Sequence, residues 1–198
     1  MRDDRDDMDI IKKFLDQLSL PKLEFSAQRG DVNAQFNLAV FLASSGNHSS
    51  AVYWFRLSAQ QGNVQAQYNL GCLLLEGRGV KRNYLEAIKW FSEAAQQGYI
   101  NAIYNLAYMN EHGLGCKMDK ARAYSLYQEA ADRGDSDSQC KLALLLLDIN
   151  DQERAEIEPQ GNGWPVSPNP EKARKLLEVA SSNDHKTSTN ILRKLGWK

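Results

Sequence analysis

Four glycines, Gly30, Gly62, Gly98 and Gly134, recur at spacings of 32, 36 and 36 residues. Each closes a near-identical pentapeptide: SAQRG, SAQQG, AAQQG and AADRG. A fixed period of this size restricts a chain to an array of like units, since each unit buries its apolar face only against its neighbours. The pentapeptides are then either a reused chemical site or the punctuation of the array.

The flanking residues decide for punctuation. After the glycines come DVNAQFNLAV, NVQAQYNLGC and YINAIYNLAY, and a degenerate fourth block, DSDSQCKLAL. Ala34, Leu38 and Phe41 stand at i, i+4 and i+7, as do Ala66, Leu70 and Leu73, and Ala102, Leu106 and Met109. That is one apolar stripe at the helical period, and it defines a helix A in each repeat. The segments SAVYWFRLSAQQG, YLEAIKWFSEAAQQG and ARAYSLYQEAADRG predict a helix B that ends at the pentapeptide. Asn83, with Glu86 three residues on, reads as a capping box, and Asp119 and Asn169-Pro170 start later copies. The alanine pair is expected to pack inward and the glycine to supply the left-handed residue that stops helix B. In the fourth copy Asn183 stands at the corresponding place.

Between helices A and B lie Gly77-Arg78-Gly79-Val80 and Gly113-Leu114-Gly115-Cys116. A phosphate-cradling loop would have a strand before it and Lys-Ser/Thr after it, and neither is present. A tight turn needing positive φ is the expectation. The regular spacing breaks after Gly134, where an insertion at 150–169, DINDQERAEIEPQGNGWPVSPNP with its flanks, combines carboxylates with Trp164 and prolines. Loops of this length in compact arrays are usually functional or disordered. Met8–Leu18 predicts an N-terminal helix within an acidic segment, residues 1–20, and Thr187–Trp197 a terminal helix.

A net charge of −1 supplies no field for nucleic acid or anionic membrane. The first residues hold four aspartates before Met8 and no apolar h-region, so no signal peptide is expected. The longest apolar run, Leu142–Leu147, is far too short to span a bilayer. Three cysteines without a CxxC suit reduced thiols and a cytoplasmic setting. His112 and Cys116 are four apart across a glycine turn with no further ligand in register, so no metal site is expected. Glu111-His112 beside Asp148 would make an acid–base pair, yet no nucleophile signature accompanies it. No catalytic residue, cofactor or metal is assigned.

As a set these motifs resemble the Sel1-like repeat family, relatives of the tetratricopeptide repeats. The second repeat carries Gly62, Asn63, Ala66, Leu70, Gly71, Gly77, Gly79, Val80, Ala87, Trp90, Phe91, Ala94, Ala95 and Gly98 of the family pattern. The third departs from it at Leu126-Tyr127, where Trp-Phe is expected, and the first lacks the Gly-x-Gly turn. The resemblance implies an all-α, right-handed superhelix of about four and a half helix-turn-helix repeats across 21–195. The repeats fall at about 30–61, 62–97, 98–133 and 134–183, with a capping helix at 184–197.

The tetratricopeptide register, with Leu38, Leu70, Leu106 and Leu142 equivalent, implies a concave face lined by Phe36, Tyr68, Tyr104, Tyr108, Glu111, His112, Leu144 and Asp148, joined by Trp164 of the insertion. Two readings of the row Phe36–Tyr68–Tyr104 stay open: anchors for a partner on an open groove, or core between repeats. Trp54 and Trp90 fall at a family core position, and Asn37, Asn69 and Asn105 read as internal hydrogen-bonders. The implied function is non-enzymatic binding of a protein or peptide, as a bacterial scaffold or adaptor in signalling. The alternatives are an immunity protein that neutralises a toxin and, third, a hydrolase like the cysteine-rich relatives, whose paired cysteines this chain lacks. A monomer is expected.

Overall fold

The computed structural model describes residues 20–147 and 169–197. The expected helix at Met8–Leu18, Asp148, Trp164 and all but the last residue of the 150–169 insertion lie outside them. The described chain is all-α: α1 (20–28), α2 (Val32–Ser44), α3 (His48–Gln60), α4 (Val64–Glu76), α5 (Tyr84–Gln96), α6 (Ile100–His112), α7 (Lys120–Asp132), α8 (Ser136–Leu146), α9 (Pro170–Ser182) and α10 (Lys186–Lys194). It divides into two compact units, with the boundary after Ala94, inside α5.

In the first unit each helix B ends and the next helix A begins through one device. Gly30 and Gly62 adopt φ of 92° and 89°. The amide of Gly62 donates to Ala59 O and that of Asn63 to Ser58 O, the paired bonds of a Schellman termination, and Gly30 and Asp31 repeat them onto Ala27 and Ser26. The side chain after the glycine then caps the next helix: Asp31 Oδ1 accepts from Ala34 N at 2.7 Å and Asn63 Oδ1 from Ala66 N at 2.9 Å. Helix B and helix A therefore join with no loop residues to spare. The Gly77–Gly79 turn is structural as expected, with φ of 75° and 68°. Gly79 lies so close to the start of α3 that a Cβ would meet the His48 carbonyl carbon at 2.3 Å.

Small residues set the spacing between helices. Ala39, Ala51, Ala66, Ala87 and Ala94 are fully buried, as are Ala102, Ala107, Ala123, Ala143 and Ala173 in the second unit. Trp90 is buried and Trp54 half-buried against α1 and α2 residues, in keeping with their core register. Glu86 does not complete the capping box. Asn83 caps Glu86 N at 3.2 Å, but the Glu86 carboxylate reaches Arg56 of α3 and accepts from Trp90 Nε1 at 3.3 Å. A cation from the preceding repeat outcompetes a backbone amide for that carboxylate.

In the second unit Gly98 and Gly134 end their helices at φ of 84° and 93°. The fourth termination differs from the expectation. Asn183 keeps a negative φ of −95°, and the left-handed residue is Asp184 at 60°. His185 N still donates to Ala180 O at 3.2 Å, so Asp184, not Asn183, is the register equivalent of Gly134. α10 packs on α8 and α9 through Ile191, Leu192 and Trp197. The small-residue position of Ala107 and Ala143 is the exposed Arg193 in α10.

Candidate functional site

The buried face of helix A and its half-exposed edge are built from neighbouring residues of one stripe. Gln35, Gln67 and Gln139 occupy one register position and are buried. Each Nε2 donates to the carbonyl of the pentapeptide alanine eight residues earlier: Ala27 at 3.1 Å, Ala59 at 3.3 Å and Ala131 at 3.1 Å. These glutamines tie consecutive helices together. Asn69 bonds to its own helix at Gln65 O, 2.8 Å away. Ile103 replaces the glutamine in the third repeat. The signal was present in the sequence as Gln four residues after each of Asp31, Asn63 and Asp135.

The aromatic row lies one residue further along, at the edge of burial. Phe36 packs on Phe55 with centroids 5.9 Å apart and Tyr68 on Phe91 at 5.9 Å, in the first unit. Tyr104 meets Tyr127 edge-on at 5.5 Å in the second. All three are half-buried, each seated on the helix-B ring of its own repeat.

The second unit holds the densest grouping. Glu111 is buried rather than face-lining: Oε2 accepts from Tyr127 Oη at 2.8 Å, and Oε1 pairs with Lys141 Nζ at 2.8 Å. Burial, then the Glu111 charge, drives the Tyr127 phenol far above its ordinary value, so it remains a hydrogen donor. Above this network Tyr108 is 38% exposed. Its ring lies 4.2 Å from that of His112, which is also exposed and donates from Nδ1 to Tyr108 O at 2.9 Å. Leu144 is half-buried against the α8–α9 core. Burial, followed by the charges of Asp137, Asp135 and Glu111, pushes the Tyr104 phenol up.

Two of the cysteines are held in the thiol form. Burial raises the Cys72 thiol to about 11, and Cys140 also moves upward for the same reason. Among the described residues no grouping of three His, Cys, Asp or Glu side chains could hold a metal ion. No helix among them is long and apolar enough to cross a membrane.

The Sel1 repeat family model matches residues 32–63, 64–99, 100–135 and 160–185, the last opening inside the expected insertion. Among curated protein sequences none matches. Similar solved structures include a Sel1 repeat protein from Oxalobacter formigenes, 28% identical with a TM-score of 0.72, covering 86% of this chain and 64% of that one. Another is c5321, a protective antigen of uropathogenic Escherichia coli strains displaying an SLR fold, 29% identical at a TM-score of 0.70, covering 87% and 35%. A putative Sel1 repeat protein from Klebsiella pneumoniae, 23% identical at 0.51 over 88% and 98%, shares the fold. The chain thus spans less than two thirds of the first two relatives' length. Glycine terminations, buried alanines and paired helices agree with the family model over most of the chain, and the protein belongs to the Sel1 repeat family.

Proposed function

We propose that the chain is a non-enzymatic protein-binding module, a scaffold or regulatory adaptor that takes its partner on the helix-A face. The observation that carries this reading is Tyr108. It is a large aromatic left 38% exposed on an ordered helix, and its hydroxyl has no hydrogen-bond partner among the described residues. Tyrosines of this kind anchor protein interfaces, because a rigid ring buries much area at little entropic cost. Tyr104, one turn earlier on α6, extends the face beside it, and His112 braces the ring.

The raised thiols of half-buried Cys72 and buried Cys140 and the committed carboxylate of Glu111 support a binding role over a catalytic one. Cysteines not joined in disulfides suit a cytoplasmic location. Affinity capture with the wild-type chain and with Tyr108→Ala tests the proposal. A partner retained by the first and lost by the second supports it, whereas a partner retained equally by both contradicts it. Capture of one toxic enzyme alone, inhibited on binding, would favour the immunity reading over the adaptor.

A further inference from the structure

Two positions of the first repeat are open where their register equivalents are closed. Trp90 is 4% exposed, whereas Trp54, at the same place in α3, is half-buried. Leu74 and Leu146 are buried, whereas their equivalent in α2, Leu42, is half-buried. Both open residues belong to one cluster: with Leu20 and Leu23 they flank the buried Ala27, Ala34 and Leu38. Tyr53, edge-on to Trp54 with ring centroids 5.0 Å apart, is exposed. The cause lies in α1. Helices α3, α5, α7 and α9 each begin 14 residues before their terminating residue, Gly62, Gly98, Gly134 or Asp184. Trp90 therefore has a full-length α3 beside it, where Arg56 holds Glu86, the acceptor of Trp90 Nε1. The same register would start α1 at residue 16, but Pro21 stands in the way. A proline is tolerated in the first turn of a helix, where Pro21 sits in α1, and in the interior of a longer one it removes a hydrogen bond and clashes with the preceding turn. Trp54 thus lacks the neighbour that Trp90 has.

We infer that Met8–Leu18 of this same chain docks as a helix on the open end of the first unit and covers Leu20, Leu23, Leu42 and Trp54. Ile10, Ile11, Phe14, Leu15 and Leu18 recur at the helical period, so the segment carries one apolar stripe to match the apolar cluster. As a helix it is about 16 Å long, enough to span the width of one neighbouring helix with its side chains. It ends two residues before Leu20, itself a member of the cluster. So short a tether gives it an effective concentration that no separate molecule reaches in dilute solution. A repeat array needs such closure, because its first unit has one interface without a neighbour. With this end closed, a second copy has no apolar surface there on which to stack. The inference is independent of the binding role of Tyr108.

Two measurements on the purified full chain test it. The first is amide hydrogen exchange of the wild type, read by mass spectrometry. A free helix of this length is marginal in water, so slow exchange reports docking. The amides of Met8–Leu18 are expected to exchange at least tenfold more slowly than in the same peptide free in solution, at every protein concentration. The second is hydroxyl-radical footprinting of the wild type and of Phe14→Asp, with buried Trp90 as the internal reference. Oxidation of Trp54 is expected to rise at least threefold in the variant while that of Trp90 stays the same. Free-peptide exchange rates, or equal Trp54 oxidation in a folded Phe14→Asp chain, would overturn the inference. Protection that grows with concentration alongside a dimer in sedimentation would overturn it in favour of a second copy as the occupant. The exchange measurement needs no variant, so it decides the matter even if Phe14→Asp fails to fold.

Discussion

The ring of Phe91 occupies the space where a side chain on Gly71 would begin: a Cβ there would lie 2.6 Å from Phe91 Cε1. The other helix-A copies carry alanine at this position, so the second repeat holds its two helices closer than a methyl group allows. Gly71→Ala is therefore expected to destabilise the chain by about 1–3 kcal/mol, the usual cost of overpacking a core. Chemical denaturation followed by circular dichroism measures it. An increase in stability, as helix propensity alone would predict for Gly→Ala, would show that the ring moves aside freely.

The buried glutamines give a paired comparison. Gln35 Oε1 accepts from Gln61 Nε2 at 2.8 Å, whereas Gln139 Oε1 is buried with no partner. The residue in register with Gln61 in the fourth repeat is Asn183, whose side chain is one methylene shorter. The third repeat already uses Ile103 at this position. Gln35→Ile should cost about 1–2 kcal/mol, because it strips the hydrogen bond and leaves partners unpaired. Gln139→Ile should be near neutral or stabilising. Denaturation midpoints in the opposite order would contradict the assignment.

Asp184 holds φ of 60° where the other repeats use glycine. A left-handed conformation costs an L-residue about 1–2 kcal/mol, less for Asp than for most. Asp184→Gly should raise the melting temperature by a few degrees, and Asn183→Gly, at φ of −95°, should not. If Asn183→Gly were the stabilising change, the register of this helix end would be wrong.

Acid sensitivity follows from Glu86. Its hydrogen bond to Arg56, with help from Trp90 and against some burial, lowers its carboxyl below the ordinary 4.5. A folded-state value below the unfolded one adds stability that is complete above the unfolded value. That stability is lost as pH falls through the lowered value. Glu86→Gln should lower stability at pH 7 and flatten its decline as pH falls from the ordinary carboxyl value of 4.5 through the lowered folded value. A variant with the same acid limb as the wild type would show that the Arg56 contact contributes nothing.

The fold was legible because its punctuation is local. A glycine at positive φ and a pair of close-packed alanines are demanded by backbone geometry wherever a helix stops against its neighbour, so they recur visibly in SAQRG and its copies. What was misread involved choices between local and distant partners. Glu86 has the spacing of a capping box, but Arg56, 30 residues away, takes it. Asn183 is the better left-handed residue by type, yet the hydrogen-bond register from Ala180 puts Asp184 there. The three glutamines look like solvent-facing positions between Ala and an aromatic, and only the meeting of two helices shows that they are buried. The site was half legible. Register places Tyr104 and Tyr108 on the same side of α6, but periodicity cannot say where burial stops. The structure draws that line between Glu111, inside, and Tyr108, outside.

The central claim is that the helix-A face of the second unit binds a protein partner. Tyr104 is a poor probe, since it also packs on Tyr127. Tyr108 separates binding from folding. The decisive measurement is the calorimetric affinity of a captured partner for the wild-type chain and for Tyr108→Ala, with melting curves of both. The account predicts at least tenfold weaker binding, roughly the 1.4 kcal/mol or more lost from one anchor residue, with a melting temperature changed by no more than about 3 °C. Unchanged affinity in a folded Tyr108→Ala chain would contradict it.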